Sequence, residues 1–449
     1  MLRSKLTAMA AVAAIALTGC DAFDDDDDDA AVVVDTTVVR VLHASPDAPA
    51  VDVTIDGLSF SGVDYKQGTQ DIRVPGGTYT VQVDGLTPGG NTTVIGPVDL
   101  ALAADTRYAV IAAGPVATIA PVIVEIPDQS PAVGNIRATV VHGAPAAPAV
   151  DVYVTAPGAA LGASAALGSF SFGDSLGPVE VPGGEYQIRV TLAGTTTVVF
   201  DSGPVVLTAG IDYLITAVEN TEAGDAPVSL VVLDGANSFE LLDVDTPAAL
   251  RVIHNSPDAP AVDIIVNDDF ANPLVPGLAF PDFTDFVPVA PGTYNVKVTP
   301  AGDAGTIVID ADLDLTVGSE SSVYATGLLA NIAPQVLADD RRSVATQAQV
   351  RILHGSPAAG AVDIFVTAPG TDITTVTPNF ADVEFGDETG YVQLAAGTYT
   401  VTVTPTGTTT AAIGPIDITI DAGGIYTAVA RDAAGGGAPL GLILLDDFN

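Results

Sequence analysis

Alternation between apolar and polar residues is the strongest structural signal in this chain. In residues 51–56 the order is Val-Asp-Val-Thr-Ile-Asp, so every second side chain is apolar. A period of two places one set of side chains on a buried face and the other on a polar face, as in a half-buried β-strand. About seven such short segments, separated by turns that contain Gly and Pro, fill each repeat of the chain. The pattern predicts an all-β protein made of β-sandwiches.

One motif occurs four times and places these sandwiches along the chain. Each copy has a histidine, a proline three residues later, and then Ala-x-Ala-Val-Asp followed by Val or Ile. All four histidines of the chain occupy the first position, and an aspartate follows each of them nine residues later. The pairs are His43 with Asp52, His142 with Asp151, His254 with Asp263, and His354 with Asp363. Later strands in the four copies carry Tyr79, Tyr186, Tyr294 and Tyr399, and then Tyr108, Tyr213, Tyr324 and Tyr426.

The spacing of the repeats predicts the domain boundaries. Successive histidines are about 100 residues apart, which is an ordinary size for a domain with its own core. We expect sandwich repeats at residues 38–128, 135–234, 248–340 and 348–447, with linkers near 128–135, 235–247 and 341–349. A signal peptide of residues 1–20 and an acidic tether of residues 21–37 precede them.

The first copy of the motif, His-Ala-Ser-Pro-Asp-Ala-Pro-Ala-Val-Asp-Val, is followed by Pro-Gly-Gly-Thr-Tyr-Thr-Val. Together these stretches resemble a bacterial family of secreted and lipid-anchored modules, domain of unknown function number 4397. The resemblance extends over residues 38–447, in four tandem copies. Copy two departs from it at Ala144 and Ala146, and copy four departs at Gly360. The resemblance implies immunoglobulin-like or prealbumin-like β-sandwiches, and it brings no known activity and no catalytic residues.

The N-terminal segment is typical of a lipoprotein signal peptide. Arg3 and Lys5 precede an apolar run, residues 8–17, that is too short to span a bilayer as a permanent helix. Leu17-Thr-Gly-Cys20 then resembles a bacterial lipobox, and Cys20 is the only cysteine. We therefore expect lipidation at Cys20. The protein would be anchored to a membrane of the cell envelope, facing the periplasm or the cell surface.

Composition narrows the choice of partners. The chain has 55 Asp and Glu residues against 14 Lys and Arg, which gives a net charge of −41. Such a charge repels nucleic acid, so we expect no nucleic-acid partner. The predicted partners are the membrane, through the anchor at Cys20, and an envelope protein or a glycan.

The His–Asp pairs are the best candidates for chemistry. A histidine held by a carboxylate is half of a hydrolase triad, in which Ser45, Ser256 or Ser356 would be the nucleophile. Copy two has Ala144 at this position, and the serine follows the histidine by only two residues. One His and one Asp per domain are too few ligands for tight metal binding, and the three carboxylates of residues 310–314 lack the spacing of a calcium loop. We expect no catalytic residue, no metal site and no cofactor.

A structural role for the pairs is the favoured interpretation. The histidine ring would hydrogen-bond the aspartate, or the backbone of the following turn, and so tie two strands together. The prediction is a non-enzymatic, lipid-anchored envelope protein, a rod of β-sandwich repeats that serves as a binding or spacer module. The alternative is a calcium-dependent adhesion module or a hydrolase that uses the His–Asp pairs.

Partner contacts are predicted instead for the segments that differ most between copies. These are residues 57–69, 157–178, 268–286 and 369–390, because loops vary more freely than strands and often carry binding. They contain phenylalanines that could anchor an interface: Phe170, Phe172, Phe280, Phe283, Phe286, Phe380 and Phe385. The alternative is that these rings fold back into the core.

Overall fold

A two-layered β-sandwich is the unit of the computed structural model, which describes residues 35–448. The strands of the first sandwich are β1 (Thr36–Ala44), β2 (Val51–Ile55), β3 (Leu58–Val63), β4 (Ile72–Pro75), β5 (Gly77–Gly85), β6 (Thr92–Leu102), β7 (Thr106–Ala113) and β8 (Ala120–Pro127). One sheet has the order β4-β1-β7-β8 and the other has the order β3-β2-β5-β6. Strands β1 and β7 are parallel, with Val38 opposite Arg107.

The same arrangement recurs in the other three sandwiches. The second contains β9 (Asn135–His142), β10 (Val150–Thr155), β11 (Gly168–Phe170), β12 (Ser175–Pro182), β13 (Gly184–Leu192), β14 (Val198–Leu207), β15 (Asp212–Glu219), β16 (Val228–Leu233) and β17 (Ser238–Leu241). The third contains β18 (Ala248–Asn255), β19 (Val262–Val266), β20 (Val275–Leu278), β21 (Val287–Val289), β22 (Gly292–Pro300), β23 (Ile309–Leu315), β24 (Glu320–Thr326) and β25 (Ala333–Ala338).

The fourth sandwich contains β26 (Ala348–His354), β27 (Val362–Thr367), β28 (Phe380–Val383), β29 (Val392–Leu394), β30 (Gly397–Pro405), β31 (Ile413–Ile420), β32 (Ile425–Arg431) and β33 (Gly441–Asp447). Short 3-10 helices occupy Val116–Thr118, Leu161–Ala163, Leu329–Asn331 and Ile373–Thr375. The remaining sheets are β12-β9-β15-β16-β17, β11-β10-β13-β14, β21-β18-β24-β25, β20-β19-β22-β23, β29-β26-β32-β33 and β28-β27-β30-β31.

The all-β sandwich prediction is confirmed, and the strand order selects between its two forms. An immunoglobulin-type domain keeps its first and second strands in the same sheet. Here the first strand lies beside the seventh, and the second strand belongs to the opposite sheet. The sandwiches are therefore of the prealbumin type. Each also has at least eight strands, not the predicted seven or so.

Two predicted boundaries need correction. Strand β1 begins at Thr36, so the end of the predicted tether is part of the first sandwich. Strand β17 lies inside the predicted linker 235–247 and pairs with β16, with Leu230 opposite Leu241. This strand is the fifth of its sheet. It forms because the polar turn after Leu233 brings the chain back along the edge of that sheet.

Burial follows the alternation read from the sequence. In β2, Val51, Val53 and Ile55 are buried in the core between the sheets, and the residues between them are partly exposed. Strand β1 is different, because it is buried on both of its faces. Val39 and Val41 face the core of their own sandwich, and the alternate residues face a neighbouring sandwich.

The sandwiches pack in two pairs through the sheets that contain their first and seventh strands. In the first pair, Leu42 and Ile111 of the first sandwich share one apolar cluster with Val141 and Leu214 of the second. The second pair joins the third and fourth sandwiches through the apolar cluster of Ile253, Tyr324, Leu353, Val429, Ile443 and Leu445. The four domains are therefore not independent, because each shares an apolar interface with one neighbour.

Candidate functional site

Each repeated histidine closes the turn that follows it. The Nε2 atom of His43 lies 3.0 Å from the carbonyl oxygen of Pro49, and its Nδ1 atom accepts a hydrogen bond of 3.2 Å from the amide of Ser45. The equivalent Nε2 contacts are His142 with Pro148, His254 with Pro260, and His354 with Gly360. The Nε2 contact recurs in all four copies, which supports the predicted contact with the backbone of the turn, whereas Nδ1 of His142 has no hydrogen-bond partner among residues 35–448.

The environment of His43 fixes its charge and its tautomer. Burial lowers the pKa of His43 to about 4, and the positive charge of Arg342 acts in the same direction. Since Nδ1 accepts from an amide, the proton of the neutral ring is on Nε2, where it is donated to the carbonyl of Pro49. Both ring nitrogens are therefore engaged by backbone groups. A ring in this state has no lone pair directed at a substrate or a metal ion.

The aspartate of each pair belongs to a different part of the sandwich. Asp52 alternates with the core residues of β2, so it points away from the core, whereas His43 shares the inward face of β1. The Asp52 carboxylate accepts a hydrogen bond of 2.9 Å from the amide of Gly62. Within residues 35–448, no hydrogen bond joins a repeated histidine to its aspartate. The nine residues from histidine to aspartate span a turn between two sheets, so of the two partners predicted for the ring, the aspartate or the backbone of the turn, the structure has the backbone.

The other three aspartates hold the loops around the second strand in the same way. Asp151 accepts from the amide of Gly194 at 2.8 Å and from the hydroxyl of Ser169. Asp263 accepts from the amides of Gly277 and Gly302, at 2.7 and 2.9 Å. Asp363 likewise accepts from the amides of Asp382 and Gly407, at 3.0 and 2.8 Å. The aspartate of the motif therefore anchors loops of the second sheet.

The serine of the motif contacts the histidine through its amide and not through its hydroxyl. Ser45, Ser256 and Ser356 each donate their backbone N–H to Nδ1 of the preceding histidine. The hydroxyl of Ser356 instead donates to Asp432. A hydrolase would need the hydroxyl at the ring nitrogen, so this geometry does not form a triad.

Carboxylate clusters were the other candidate for chemistry. In the described part of the chain, no group of three or more His, Cys, Asp and Glu side chains has the geometry to hold a metal ion. Asp310 and Asp312 accept hydrogen bonds from the side-chain amide of Asn295, at 2.9 and 3.1 Å. Asp314 accepts from the hydroxyl of Thr293 at 2.6 Å. The neighbouring strand thus binds these three carboxylates.

The functional residues that sequence reasoning missed are the buried arginines of the first strands, which lie three positions before the histidine in three copies and five positions before it in the second copy. In the second pair, Arg251 donates to Asp447 of the fourth sandwich, and Arg351 donates to Asp339 of the third. The side chains of Asp339 and Asp447 are fully buried. Each sandwich therefore supplies the counter-ion for the arginine of the other. Burial raises the pKa of Asp447, and Arg251 opposes this shift.

Two hydroxyl groups, one from each sandwich, complete this network of buried charges in equivalent ways. Ser322 accepts from Arg251 at 3.0 Å and donates to Asp339 at 2.6 Å. Thr427 accepts from Arg351 at 3.3 Å and donates to Asp447 at 2.6 Å. Each carboxylate is thus bound by an arginine from one sandwich and a hydroxyl from the other, which satisfies the buried charges. An interface in which the same patch appears on both sides has the geometry of a symmetric dimer.

The first pair neutralises its arginines differently. Arg40 is almost fully buried, and its Nε atom lies 2.8 Å from Asp71 of the same sandwich. Arg137 donates to Asp212, also of its own sandwich, at 3.0 Å. The contacts of these two arginines across the pair are with backbone carbonyls. Arg40 donates to the carbonyl of Asp212 at 3.3 Å, and Arg137 donates to that of Pro127 at 2.7 Å.

The repeated tyrosines divide into satisfied and unsatisfied groups. Tyr79 and its three equivalents each donate a hydrogen bond to the carbonyl four residues earlier. The hydroxyl of Tyr108 accepts from the amide of Ala103 at 3.0 Å. Tyr324 is not its equivalent, because Tyr324 lies opposite Ile253 and faces the second pair interface. Its buried hydroxyl has no hydrogen-bond partner among residues 35–448, and burial raises its pKa to about 12.

The turn of the first sandwich is also where the two pairs touch. Arg342, in the linker before the fourth sandwich, donates to the carbonyl of Pro46 at 2.9 Å and to that of Ala48. Its Nη1 atom lies 2.5 Å from Asp64, and its guanidinium lies over the ring of Tyr65, 5.1 Å from the centroid. The amide of Ala345 then donates to the carbonyl of Asp47 at 2.8 Å. His43 supports this turn from inside, and Arg342 binds it from outside.

The phenylalanines of the variable segments have several fates. Phe170 is buried in the core of the second sandwich, and Phe380 packs against the core of the fourth. Phe286 stacks on Phe448 and lies under Arg251. Phe280 lies near Arg431 of the fourth sandwich. The exposed rings are Phe172, Phe283 and Phe385.

The predicted anchor at Cys20, the signal peptide and most of the tether lie outside the described residues. Over residues 35–448, no helix has both the length and the apolar composition that a bilayer crossing requires.

The fold and the repeated turn define a class of protein: a tandem array of prealbumin-type sandwiches in which a histidine closes each motif turn. A family model described as Domain of unknown function (DUF4397) matches residues 37–153, 248–365 and 366–449. These regions make up more than half of the chain, so the protein belongs to this family. The first two regions begin at the first strand of a sandwich and run into the sandwich that follows. No curated protein matches the chain.

Proposed function

We propose that the protein is a non-enzymatic, lipid-anchored protein of the cell envelope. Its β-sandwiches serve as a binding or spacer module, and Cys20 carries the lipid. An envelope protein or a glycan is its partner, and the protein faces the periplasm or the cell surface.

The observation that carries this proposal is the use of the repeated motif. In each copy the histidine Nε2 is bound to the carbonyl six residues later, and the aspartate binds amides of a neighbouring strand or loop in the other sheet. A motif repeated for catalysis would bring its polar groups together around open space. This motif separates them and builds turns. That use of the motif supports a protein that displays surfaces.

The paired packing supports the same role. The sheets that contain the first strands are buried against one another, and the second sheets and the loops remain to face outward. Loops held on such a scaffold are the usual site of recognition. The rival function, a hydrolase or calcium module built on the His–Asp pairs, has less support, because no hydrogen bond joins a repeated histidine to its aspartate within residues 35–448.

Phase separation of the full-length protein in a cloud-point detergent tests the anchoring. We expect the protein to enter the detergent phase, and we expect Cys20→Ala to move it to the aqueous phase with an unprocessed or unlipidated N-terminus by mass spectrometry. Cys20→Ser is the matched control, because it changes only the atom that would carry the lipid. Wild-type protein that already stays in the aqueous phase would contradict the proposal.

A further inference from the structure

The docking of Arg342 on the first sandwich shows how this fold binds an arginine. The Tyr65 ring is held edge-on by His43, with 6.2 Å between the ring centroids, and Asp64 precedes it in the chain. The Arg342 guanidinium lies over the ring, pairs with Asp64, and donates to two carbonyls of the turn that His43 closes. An acid, an aromatic ring and a turn with free carbonyls therefore form an arginine receptor.

The fourth sandwich contains the same receptor in the same register. Leu353 forms an isolated β-bridge with Glu388, and Leu42 forms the equivalent bridge with Gly68. Counting back three and four residues from these bridges, Phe385 corresponds to Tyr65 and Glu384 corresponds to Asp64. Phe385 lies edge-on to His354, with 6.4 Å between the ring centroids and an interplanar angle of 86°. His354 closes its turn through contacts with Gly360 and Ser356. The carbonyls that match those of Pro46 and Ala48 belong to Pro357 and Ala359.

This second receptor is uncovered. Tyr65 is 6% exposed and Phe385 is 43% exposed, although the two rings occupy equivalent positions. Glu384 is also exposed, and its backbone amide is held by Asp387. Among residues 35–448, no arginine or lysine lies over the Phe385 ring.

The second and third sandwiches lack the complete set. In the third sandwich, Ala279 stands where the acid would be. Arg431 of the neighbouring sandwich already lies 5.7 Å from the centroid of the Phe280 ring. The amide of Gly435 already donates to the carbonyl of Pro257. In the second, Ser171 replaces the acid, and His142 packs on Phe170 and not on Phe172. Only the fourth sandwich, within the described chain, repeats the acid, the ring and the turn and leaves them open.

We propose that Glu384, Phe385 and the turn of residues 356–360 bind an arginine side chain presented by an extended segment of another protein. The guanidinium stacks on Phe385, pairs with Glu384 and donates to the turn carbonyls, as Arg342 does on the first sandwich. An amide three residues after the arginine donates to the carbonyl of Ala358, as Ala345 donates to Asp47. The inference deepens the proposed binding role by naming the chemistry of the partner.

A segment from another protein fits this site better than a segment of the same chain. Arg342 is held on the first sandwich by its own linker, which gives that contact a high effective concentration. Arg73, the exposed arginine of the first sandwich, is bound to Asp128 and Thr36. A net charge of −41 attracts a basic partner from a distance.

A tryptophan-labelled peptide of residues 341–347, Arg-Arg-Ser-Val-Ala-Thr-Gln, tests the proposal on the full-length chain. The chain contains no tryptophan, so the fluorescence reports only the peptide. We expect saturable binding at micromolar to millimolar concentration. Glu384→Gln and Phe385→Ala should each weaken it at least about threefold, and the two together about tenfold. A peptide with Arg342→Ala should bind about tenfold more weakly.

Phe172→Ala is the matched control, because it removes the exposed ring of the second sandwich, which has no neighbouring acid. It should leave peptide binding unchanged, and circular dichroism should show the same fold for every variant. Absence of saturable binding would overturn the proposal, as would equal loss in Phe172→Ala or no loss in Glu384→Gln and Phe385→Ala. If the chain forms dimers and Glu384→Gln dissociates them, a second copy of the chain occupies the site. That result would overturn the assignment to another protein. The assay contains no membrane, so its result is independent of the anchoring at Cys20.

Discussion

The two pairs of sandwiches neutralise the buried arginines of their first strands in opposite ways. In the second pair, Arg251 and Arg351 each take a carboxylate from the other sandwich. In the first pair, Arg40 and Arg137 take carboxylates from their own sandwich and reach only backbone carbonyls across the interface. A buried arginine on the first strand therefore recurs in all four sandwiches, whereas the residue that neutralises it differs.

The residue that faces each arginine on the seventh strand accounts for part of this difference, although Arg137 and Asp212 lie two residues before the positions that match the other three pairs. The residue opposite the arginine on the seventh strand is Ala109, Asp212, Ser322 or Thr427 in the four sandwiches. A carboxylate at this position, as in the second sandwich, neutralises the arginine within its own domain. Ser322 and Thr427 are uncharged, and Arg251 and Arg351 take carboxylates from the partner sandwich. Ala109 is uncharged too, but Arg40 pairs with Asp71 of its own sandwich, so the counter-ion depends on the surrounding carboxylates as well as on the facing residue.

The largest expected effect comes from breaking the reciprocal charge pair. Arg251→Met leaves the fully buried Asp447 without its arginine, so we expect the second pair to lose about 3–5 kcal/mol of unfolding free energy. Urea unfolding followed by amide exchange would measure the loss and identify the domains that open. Arg40→Met is the matched control and should cost only about 1–2 kcal/mol, because Asp71 is partly exposed and keeps Arg107. Equal losses would contradict the contrast between the pairs.

Acid should weaken the first sandwich through His43. Its pKa is about 4 in the folded chain and near 6.5 when unfolded, so the unfolded chain binds more protons between these values. The stabilisation is therefore complete above pH 6.5 and falls as the pH drops toward 4, by about 3 kcal/mol over the whole range. Amide exchange of strand β1 as a function of pH would measure it.

The variant His43→Ala gives the control for this effect. It should cost about 1–3 kcal/mol at pH 7, because the carbonyl of Pro49 and the amide of Ser45 lose their partner. It should also flatten the pH dependence of strand β1 between pH 6.5 and 4. An unchanged slope in the variant would show that another group titrates.

Removing Arg342 should loosen the contact between the pairs with a smaller cost. Asp64 is about half exposed, so we expect Arg342→Ala to cost about 1 kcal/mol, and less in high salt. Thermolysin should then cleave the linker of residues 341–349 several times faster. Asp64→Asn should reproduce part of this effect, and the double variant should be less than additive. Full additivity would mean that the two side chains do not interact in solution.

The smallest effect is expected for the hydroxyl of Tyr324. Tyr324→Phe removes a buried polar group that has no partner in the described chain, so the second pair should change by less than about 1 kcal/mol or become more stable. Tyr108→Phe is the matched control, because its hydroxyl accepts from Ala103, and it should cost about 1 kcal/mol. Thermal unfolding of both variants would compare them. A greater loss in Tyr324→Phe would indicate a bound water or an unrecognised partner at its hydroxyl.

The sequence was sufficient for the sandwich and for the role of the histidine. Alternation in β2 and recurrence of the motif are local signals, and local signals determine strands and turns. The charge pairs were not predictable in this way, because Arg251 and Asp447 are 196 residues apart and belong to different domains. Only the packing of one sheet on another brings them together.

Tyrosine spacing misled for a related reason. Tyr324 matches Tyr108 in residue type and in approximate position, but pairing with the first strand places it opposite Ile253, where Tyr108 lies opposite Val39. Register decides which face of a strand a residue occupies, and a shift by an odd number of residues reverses the face. Tyr324 therefore faces the neighbouring domain, whereas Tyr108 faces the core. The choice between the aspartate and the turn backbone as partner of the histidine stayed open for a similar reason, since the chain passes from one sheet to the other between the two residues.

The parallel pairing of the first and seventh strands also determines when each sheet can form during synthesis. Thr37 hydrogen-bonds Thr106, 69 residues later, so β1 stays without this neighbour until synthesis has passed β7. Such distant pairings slow folding because the intervening chain must close as a loop. The delay is longer for Arg251, because its partner Asp447 belongs to the last strand, β33. A chain that ends before Asp447 therefore lacks the carboxylate that binds Arg251 across the second pair interface.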